Sequence, residues 1–368
     1  MPQEKPVLFE FFPSLAEKIN YINLETTPSP VHRLKNLDHK NLWIKRNDMI
    51  SSVYGGNKVR RLEFVLGEVI KQKKSRVVTM GGIGTNHGLA TAIFCKRLGI
   101  DCTLLLFHQP VTRYVLQNLR LFHKYGAEMI YDESILEMAR DFYGDQREKY
   151  PEAYFLDAGG SSPLGALGAV NGALELAEQI DRGLMPEPNY IFYPTASNGG
   201  MAGLMLGLKF AGLNTTVIGV RVGASHLETL ELNTPNTVAK MMIEVYDLLK
   251  ENSNSIPEIE MQTPVMFNDY CGEGYGYPTK EGNAAVELFR ECENIVLEPV
   301  YTGKTCAAIL DFIKDPSHAN DTILYWHTYN SVDLSEEVES VDYHDLGPEF
   351  HQFFEDNLEE GGDEDYGK

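Results

Sequence analysis

The stretch that decides the fold is Gly55-Gly56-Asn57-Lys58-Val59-Arg60-Arg61-Leu62-Glu63-Phe64. It places one lysine directly behind a glycine-rich turn and in front of a run whose apolar residues recur with helical spacing. A lysine amine becomes a useful nucleophile only when its pKa is lowered and its position is fixed, and a turn joined to a helix start can supply both. The alternative is an ordinary surface lysine at a helix N-terminus, so other segments must support the interpretation.

Length and composition indicate an ordinary globular protein. The chain has 368 residues, of which 43% are hydrophobic, and this length favours two domains over one. No apolar run reaches membrane-spanning length, and residues 1–6 lack the basic-then-apolar order of a signal peptide. We therefore expect a cytoplasmic protein.

Cysteine usage and charge exclude several kinds of site and partner. The five cysteines are odd in number, scattered and without a C-x-x-C pair, so we expect reduced thiols and no metal site. The formal net charge is −21, and residues 333–368 hold 14 acidic residues and one lysine. This balance argues against nucleic acid and anionic membranes as partners. The acidic end, residues 351–368, is predicted to be a disordered tail.

The alternation of strand and helix patterns predicts the fold class. Short β-branched runs alternate with longer runs of helical spacing between residues 76 and 220. The predicted strands are 76–80, 102–107, 129–131, 190–193 and 216–220, and the predicted helices are 89–98, 112–125, 135–150, 165–180 and a run that ends at 210. This order is typical of an α/β protein with mostly parallel sheets covered by helices. Ligands of such folds bind where strands end and helices begin.

The first glycine-rich turn of that kind imitates a dinucleotide-binding fingerprint and reads Gly81-Gly82-Ile83-Gly84-Thr85-Asn86-His87-Gly88. A dinucleotide site also needs an acidic residue at the end of the next strand, which instead ends in Leu106-Phe107-His108-Gln109-Pro110. A nicotinamide site is therefore disfavoured. The turn offers small polar groups at a helix N-terminus, which suit the carboxylate of an amino-acid substrate. Ordinary N-capping by Thr85 or Asn86 is the competing explanation.

The second glycine-rich turn reads Thr195-Ala196-Ser197-Asn198-Gly199-Gly200-Met201-Ala202-Gly203. Its small residues allow backbone amides to converge on an anion. It lacks the Lys-Ser/Thr ending of a P-loop, so hydrolysis of a nucleotide triphosphate is not indicated and a lone phosphate ester fits better. Close packing of a helix on a strand would also select small residues here.

Seven segments, taken in chain order, resemble those of one enzyme family. They are Lys45-Arg46-Asn47-Asp48, Gly55-Gly56-Asn57-Lys58, the turn at 81–87, Gly159-Gly160-Ser161, the turn at 197–200, Glu298-Pro299-Val300-Tyr301-Thr302-Gly303-Lys304 and His327-Thr328. The family comprises the pyridoxal-phosphate enzymes D-cysteine desulfhydrase and 1-aminocyclopropane-1-carboxylate deaminase. The resemblance spans roughly residues 25–330.

This resemblance implies a two-lobed, tryptophan-synthase-β-like fold with pyridoxal 5′-phosphate as its cofactor. It implies a larger cofactor-binding domain made of residues 1–61 and 165–350, and a smaller inserted α/β domain made of residues 62–164. It also implies a homodimer that acts on a small amino acid.

Carried over position by position, the resemblance assigns the cofactor contacts. Lys58 would bond covalently to the cofactor and then move protons on the substrate carbon. Asn86 would hydrogen-bond the phenolic oxygen, Arg61 would lie near the phosphate, and Thr328 would face the pyridine nitrogen. The predicted phosphate loop consists of Ala196, Ser197, Asn198, Gly199 and Gly200.

The resemblance also assigns the side of the cofactor that faces the substrate. The implied substrate-binding residues are Thr85, Asn86, His87, Tyr275 and Tyr301. Thr85 stands where the family usually has a serine that contacts the substrate carboxylate or assists proton transfer. Tyr275 and Tyr301 would present phenols as general acid–base groups or hydrogen-bond donors. Ordinary packing is the alternative for each, since the chain has 19 tyrosines.

Several positions depart from the family pattern. Thr302, a predicted cofactor contact, replaces the glutamate typical of the deaminases, and a hydroxyl leaves the pyridine nitrogen neutral, which favours the desulfhydrase branch. Gly84-Thr85 replaces Gln-Ser, and Gly200-Met201 lies where a hydroxyl residue usually contacts the phosphate. Tyr329-Asn330 replaces two glycines, and we expect its bulk to reshape the substrate pocket.

The sequence therefore predicts a pyridoxal-phosphate-dependent lyase or deaminase that releases a 2-oxo acid and ammonia. The reaction would be a β-elimination like that of D-cysteine desulfhydrase, or a ring opening like that of 1-aminocyclopropane-1-carboxylate deaminase. Two alternatives stay open. One is an amino-acid racemase in which Lys58 and either a tyrosine or Thr85 carry the protons, and the other is a catalytically idle ligand-binding relative.

Overall fold

The computed structural model of this chain describes residues 5–359. The strands are β1 (Val31–Arg33), β2 (Leu42–Arg46), β3 (Arg76–Gly82), β4 (Asp101–Phe107), β5 (Glu128–Asp132), β6 (Tyr154–Leu156), β7 (Tyr190–Thr195), β8 (Thr216–Arg221), β9 (His226–Leu227), β10 (Leu230–Glu231), β11 (Val265–Phe267) and β12 (Ile323–His327). The helices are α1 (Val7–Phe11), α2 (Asn57–Lys71), α3 (Asn86–Leu98), α4 (Arg113–Lys124), α5 (Ile135–Tyr143), α6 (Asp145–Lys149), α7 (Pro163–Asp181), α8 (Asn198–Phe210), α9 (Pro235–Asn252), α10 (Lys280–Glu293), α11 (Thr302–Phe312), α12 (Ser335–Glu339) and α13 (Pro348–Glu359).

The chain divides into two compact units. The first unit comprises residues up to Glu68 together with Ser161–Val332, and the second comprises Val69–Gly160 together with the chain from Asp333 onward. The boundaries predicted from the sequence were 61/62, 164/165 and 350/351. The structure differs most at the last of these, because the segment that begins at Asp333 packs with the second unit instead of the first.

The first unit contains a six-stranded sheet in the order β1-β2-β12-β7-β8-β11. Only β1 runs antiparallel to its neighbour, and the remaining pairs are parallel. Pairing of His327 with Arg46 and of Tyr325 with Phe192 aligns the carboxyl ends of β2, β12 and β7 at one edge. The segments that follow these three strands therefore meet at that edge, as expected for ligand sites of parallel sheets.

The second unit contains a four-stranded sheet in the order β5-β4-β3-β6, and all of its pairs are parallel. The middle strands β3 and β4 are almost entirely buried. Such continuous apolar strands are typical of a parallel sheet covered on both faces. The α/β class and the mostly parallel sheets that the sequence predicted are confirmed.

Helix α7 supports two helices of the first unit at short range. A Cβ added to Gly168 would collide with the backbone of Arg60 on α2, and one added to Gly203 on α8 would collide with the carbonyl of Ala166. Absence of side chains at these two glycines lets both helices approach α7 closely. The starts of α2 and α8 are thereby fixed against one common element.

The predicted disordered tail is wrong for its first part. Residues 351–359 belong to α13, and Phe353 and Phe354 on this helix are buried. Phe353 packs edge-on against Tyr131 at 5.4 Å between ring centroids, and the guanidinium of Arg120 lies over the ring of Phe354. This aromatic stripe outweighs the acidic composition, because its burial stabilises the helix on the second unit. The rest of the predicted tail, residues 360–368, lies outside the described residues.

No helix within residues 5–359 combines the length and apolar character needed to cross a lipid bilayer.

Candidate active site

Lys58 is the second residue of α2, and the turn before it is fixed by backbone hydrogen bonds. The Gly56 N–H donates to the carbonyl of Asn47 at 2.9 Å, and the Asn57 N–H donates to the carbonyl of Thr328 at 3.2 Å. Gly56 has a φ of +91°, and a Cβ at this position would collide with the carbonyl of Thr328. Glycine is the residue that meets both demands without strain. The ends of β2 and β12 therefore set the position of Lys58.

The environment of Lys58 favours its neutral amine. Burial, and secondly the positive charge of Arg61, lower the pKa of Lys58 well below its usual range. The N-terminal end of α2 acts in the same direction, because the helix dipole disfavours a cation there. A neutral lysine amine is nucleophilic near neutral pH. The part that Lys58 takes in the chemistry stays a prediction.

The turn between β7 and α8 presents backbone N–H groups. Ser197 is the N-cap of α8, yet its side chain makes no capping hydrogen bond. The first N–H groups of a helix have no partner inside the helix. One of them, from Gly199, donates to Ser161 Oγ at 3.0 Å. In the described part of the chain the N–H groups of Asn198 and Gly200 then remain to bind an anion at this helix end.

Two side chains converge on the same turn. Arg61 donates from Nη1 to Ser197 Oγ at 3.2 Å, so its guanidinium lies beside the N-terminus of α8. The Tyr193 hydroxyl and Arg61 Nη2 occupy the space into which a Cβ on Gly200 would project. Asn57 Nδ2 donates to the Tyr193 hydroxyl at 2.8 Å. The residue next to Lys58 is therefore linked through Tyr193 to the predicted phosphate loop.

The predicted loop residues differ in what their side chains do. The Asn198 side chain faces away from the turn, because its Nδ2 donates to the carbonyl of Leu232 at 3.0 Å and its Oδ1 accepts from Thr237 Oγ1 at 3.2 Å. Asn198 can thus contribute only its backbone N–H to a ligand. A Cβ added to Gly223 would lie 3.3 Å from Ala196 Cβ and 3.8 Å from Tyr275 Cδ2, which places Tyr275 beside this loop.

Tyr275 and Tyr301 form a pair. The Tyr301 hydroxyl donates to the Tyr275 hydroxyl at 3.0 Å, and the rings meet edge to face at 6.0 Å. Burial, followed by the neighbouring Tyr275, raises the pKa of Tyr301 well above its usual range, and burial raises the pKa of Tyr275. Both phenols therefore stay protonated at neutral pH. They are suited to donate a proton or a hydrogen bond, and not to act as a base in the free protein.

Thr302, predicted to contact the cofactor, has its hydroxyl occupied elsewhere. Its Oγ1 donates to the carbonyl of Glu298 at 2.9 Å and accepts from the Glu298 N–H at 2.8 Å. The Glu298 carboxylate in turn accepts from the N–H groups of Val300, Tyr301 and Thr302. The hydroxyl of Thr302 is completely buried, so it builds the turn that carries Tyr301 and does not face a ligand.

A buried lysine holds the loop that carries Tyr275. Lys304 Nζ donates to the carbonyls of Cys271 at 2.7 Å and Gly274 at 3.1 Å. Burial lowers the pKa of Lys304, although nearby Cys271 and Glu298 act in the opposite direction. Its two carbonyl partners satisfy the ammonium, which has no exposed surface. Lys304 therefore supports Tyr275 from the backbone side of its loop.

Thr328 follows β12 beside the turn before Lys58. Its side chain is half-buried, and within residues 5–359 its hydroxyl has no hydrogen-bond partner. Asn330 does not simply add bulk, contrary to the expectation for Tyr329-Asn330. Its Oδ1 accepts from the N–H of Gly55 at 2.6 Å and from that of Val332 at 3.0 Å. Asn330 thus fixes the glycine turn from the other side.

In the second unit, Thr85 and Asn86 begin α3. Thr85 is the N-cap, and its Oγ1 accepts from the Gly88 N–H at 3.2 Å. The capping explanation is therefore correct for Thr85, although its O–H can still donate. Asn118 Nδ2 donates to Asn86 Oδ1 at 3.3 Å and to the carbonyl of Gly84 at 2.9 Å. Because Asn86 accepts through its oxygen, its amide N–H groups are oriented to donate.

His87 lies differently from its two neighbours. Its ring is buried, and Nε2 is 3.0 Å from Thr79 Oγ1 on β3. Thr79 itself donates to the carbonyl of Leu156 at 2.7 Å, so its oxygen accepts from His87. His87 therefore joins α3 to the sheet of the second unit, and the structure gives no support for its predicted contact with substrate.

The residues of the first unit fit the cofactor that the resemblance implies. A lysine amine of lowered pKa would bond to an aldehyde, and a helix N-terminus with an adjacent guanidinium would bind a phosphate. Tyr193 and Arg61 approach Gly200 so closely that a Cβ at this position would collide with both, so this helix N-terminus needs a glycine here. Among the described residues no group of three or more His, Cys, Asp and Glu side chains is arranged to hold a metal ion.

Comparison with known proteins agrees with this geometry. Residues 22–328 match the family described as "Pyridoxal-phosphate dependent enzyme". The chain is 32% identical over 321 residues to a D-cysteine desulfhydrase of Klebsiella pneumoniae strain 342, covering 83% of this chain and 93% of that protein. It is 30% identical over 320 residues to a protein of Pyrococcus furiosus provisionally named 1-aminocyclopropane-1-carboxylate deaminase, covering 86% of this chain and 93% of that protein. A crystal structure of an ACC deaminase homologue superposes with a TM-score of 0.75 at 25% identity, covering 91% of this chain and 99% of that one.

Sequence reasoning missed several residues that build the site. Tyr193 lies inside an apolar strand and gives no polar signal in the sequence. Asn330 and Glu298 act through backbone groups, which a motif does not reveal. Asn57 could have been found, because it stands directly before Lys58.

Proposed function

The chain belongs to the pyridoxal-phosphate dependent enzymes, and from this premise we propose that it is a lyase or deaminase of a small amino acid. The observation that carries the proposal is the environment of Lys58. Its pKa is lowered, the turn before it is fixed by backbone hydrogen bonds, and Arg61, whose charge acts on it, bonds to Ser197 at the N-terminus of α8. Lys58 is the residue that bonds to the cofactor. The substrate class follows from the relatives named D-cysteine desulfhydrase and 1-aminocyclopropane-1-carboxylate deaminase.

The first unit supplies the cofactor contacts. Backbone N–H groups at the start of α8 and the guanidinium of Arg61 bind the phosphate. The Thr328 hydroxyl faces the pyridine nitrogen. The nitrogen stays neutral, because a hydroxyl, unlike a carboxylate, does not stabilise its protonated form. In the second unit, Thr85 keeps an O–H and Asn86 an amide that can donate to a ligand. These roles are supported by the donor groups that each side chain has available.

The proposed reaction is an elimination that yields a 2-oxo acid and ammonia. Bound pyridoxal phosphate stabilises the negative charge that develops on the substrate carbon when its proton leaves. The Lys58 amine accepts the α-proton. In this β-elimination the thiol group leaves with the electrons of its C–S bond, and Tyr301 donates a proton to it. 1-Aminocyclopropane-1-carboxylate carries no α-proton, so this route does not apply to its ring opening, in which the bond between the α-carbon and a ring carbon breaks instead. Water then replaces the substrate nitrogen, which departs as ammonia.

The raised pKa values of Tyr301 and Tyr275 fit this assignment. A protonated Tyr301 can act as the acid, and Tyr275 orients it by accepting its hydrogen bond in the free protein. The Glu298 carboxylate fixes the backbone turn that carries Tyr301, and Lys304 fixes the loop that carries Tyr275. The two phenols are thus held by separate supports.

Reduction and peptide mapping test the cofactor attachment. Borohydride treatment of the cofactor-bound protein should abolish its visible absorbance and leave the cofactor's mass on the peptide that contains Lys58. Lys71→Ala, at the exposed end of the same helix, should label like the unmodified protein. Label on another lysine would contradict the assignment of Lys58.

Product analysis with a panel of D- and L-amino acids, and with 1-aminocyclopropane-1-carboxylate, tests the reaction. Formation of a 2-oxo acid and ammonia in equal amounts supports the proposal. Change of stereochemistry without ammonia would favour the racemase, and cofactor binding without any turnover would favour the idle relative. The homodimer and the cytoplasmic location belong to the same proposal, and sedimentation equilibrium would test the first of them.

A further inference from the structure

Tyr193 places a buried hydroxyl beside the turn at residues 195–200. It lies on β7 with 3% of its surface exposed, and its hydroxyl reaches the first turn of α8. The hydroxyl oxygen and ring carbon Cζ occupy the place where a side chain at Gly200 would begin. A buried hydroxyl has therefore taken the position of a side chain on the helix itself.

The hydrogen bonds of this hydroxyl leave its proton to be donated. Asn57 Nδ2 donates to the Tyr193 oxygen at 2.8 Å, so the oxygen is an acceptor in that bond. No acceptor for the Tyr193 O–H occurs within residues 5–359. A buried hydroxyl normally donates to a partner, and leaving it without one is unfavourable.

The neighbours of the hydroxyl are also donors. Arg61 Nη2 lies beside Gly200, its Nη1 donates to Ser197 Oγ, and the backbone N–H groups of Asn198 and Gly200 begin the helix. A cluster of converging donors with a cation requires an anion as its acceptor. The Tyr193 hydroxyl oxygen lies at that cluster, so its proton is available to the same anion.

We infer that Tyr193 is a phosphate ligand of the cofactor and makes the protein select pyridoxal phosphate over unphosphorylated pyridoxal. Its O–H donates to a phosphate oxygen at the N-terminus of α8, while Asn57 orients it from the side of Lys58. The inference rests on the proposed role of the turn at 195–200. It adds a residue and a selectivity that the family resemblance does not assign.

The test compares the two forms of the cofactor in Tyr193→Phe. The cofactor-free protein is titrated with pyridoxal phosphate and, separately, with pyridoxal, and binding is followed by absorbance. Loss of one hydrogen bond to a charged group should weaken pyridoxal phosphate binding roughly ten- to hundredfold. Pyridoxal binding should change less than about twofold, because pyridoxal has no phosphate to accept the bond.

The matched control is Tyr190→Phe on the same strand. The ring of Tyr190 packs against Phe312 and His318, and Tyr190 begins β7, at the opposite end of the strand from the turn. This variant should bind both compounds like the unmodified protein.

Each other result has a distinct meaning. Equal weakening of both compounds by Tyr193→Phe would overturn the inference, because the hydroxyl would then act through Asn57 and Lys58. Unchanged binding of pyridoxal phosphate would overturn it as well. If the unmodified protein already bound the two compounds equally, the phosphate role of the whole turn would fail, and with it the cofactor contacts proposed above.

Discussion

The turn at residues 81–88 and the turn at residues 195–200 both join a parallel strand to a helix, yet they satisfy the helix N-terminus differently. In the first turn, Thr85 Oγ1 accepts the N–H of Gly88 and caps α3. In the second turn, Ser197 makes no capping bond and its Oγ instead accepts from Arg61. The first helix end is capped by its own N-cap side chain. At the second, Ser161 Oγ takes the Gly199 N–H, and in the described part of the chain the N–H groups of Asn198 and Gly200 are left to bind an anion.

This difference teaches that glycine spacing is a weak guide to phosphate binding. The turn at 81–88 imitates the dinucleotide fingerprint more closely, but its glycines serve packing, since a Cβ at Gly84 would collide with Val115. The turn at 195–200 matches neither the dinucleotide fingerprint nor the P-loop, but a guanidinium and a phenol hydroxyl converge on it. What the N-cap side chain binds distinguishes the two turns better than the glycines do.

The largest effect is expected from removal of the Lys58 amine. Lys58→Ala should keep the fold and abolish turnover, because neighbouring polar groups cannot bond to the cofactor. Turnover with saturating cofactor checks this, and Lys71→Ala is the matched control on the same helix. Near-normal turnover by Lys58→Ala would show that the reaction does not require Lys58.

Equal substitutions in the two turns should have unequal effects on cofactor affinity. Gly199→Val puts a branched side chain against Ser161 Oγ, 3.2 Å from the Cβ position, and should weaken pyridoxal phosphate binding on the order of a hundredfold or more. Gly84→Val in the other turn should weaken it less than about tenfold. Equilibrium titration of both cofactor-free variants measures the difference. Comparable losses would show that the phosphate loop has been misplaced.

Substitution of Tyr301 should change the rate of the chemical step and not the affinity for the cofactor. Tyr301→Phe removes the proposed acid and should lower kcat roughly a hundredfold, the usual scale for one general acid–base group. Cofactor affinity should stay unchanged. Tyr246→Phe on α9, where the hydroxyl bonds to the Pro257 carbonyl and to Glu258, should leave both quantities unchanged. A Tyr301→Phe protein that loses its cofactor but works normally when loaded would reverse the assigned role.

The smallest expected effects distinguish the two N-caps directly. Thr85→Ala should lower the free energy of unfolding by about 1 kcal/mol, because it removes a capping bond, and should raise KM for the amino acid. Ser197→Ala should leave stability within a few tenths of a kcal/mol and modestly weaken cofactor binding, because its hydroxyl caps nothing. Denaturant unfolding of the cofactor-free proteins gives the first quantity. Equal destabilisation by both changes would contradict the comparison.

Much of the fold could be predicted from the sequence because its signals are local. The strand at Arg76–Gly82 and the helix at Asn86–Leu98 follow from β-branched runs, glycines and helical spacing. The packing of α13 could not be predicted this way. Its acidic composition suggested disorder, whereas two buried phenylalanines that contact distant residues decide its structure.

The candidate site was predictable where a residue acts through its own type. Lys58 and Arg61 are examples, since an amine is the group that bonds to an aldehyde and a guanidinium is a group that binds a phosphate. The surroundings of Thr302 and His87 could not be predicted, because their partners, the Glu298 backbone and Thr79, appear only after folding. The role of Tyr193 depends on a missing side chain at Gly200, and no local pattern contains that information.

The most direct test of the difference between the turns is the response of glycine amides to the phosphate group alone. The protein is labelled with 15N-glycine, and its amide spectra are compared after saturation with pyridoxal and with pyridoxal phosphate. The account predicts that Gly199 and Gly200 shift between the two spectra, while Gly81, Gly82, Gly84 and Gly88 keep their positions. Phosphate-dependent shifts confined to the turn at 81–88 would contradict it.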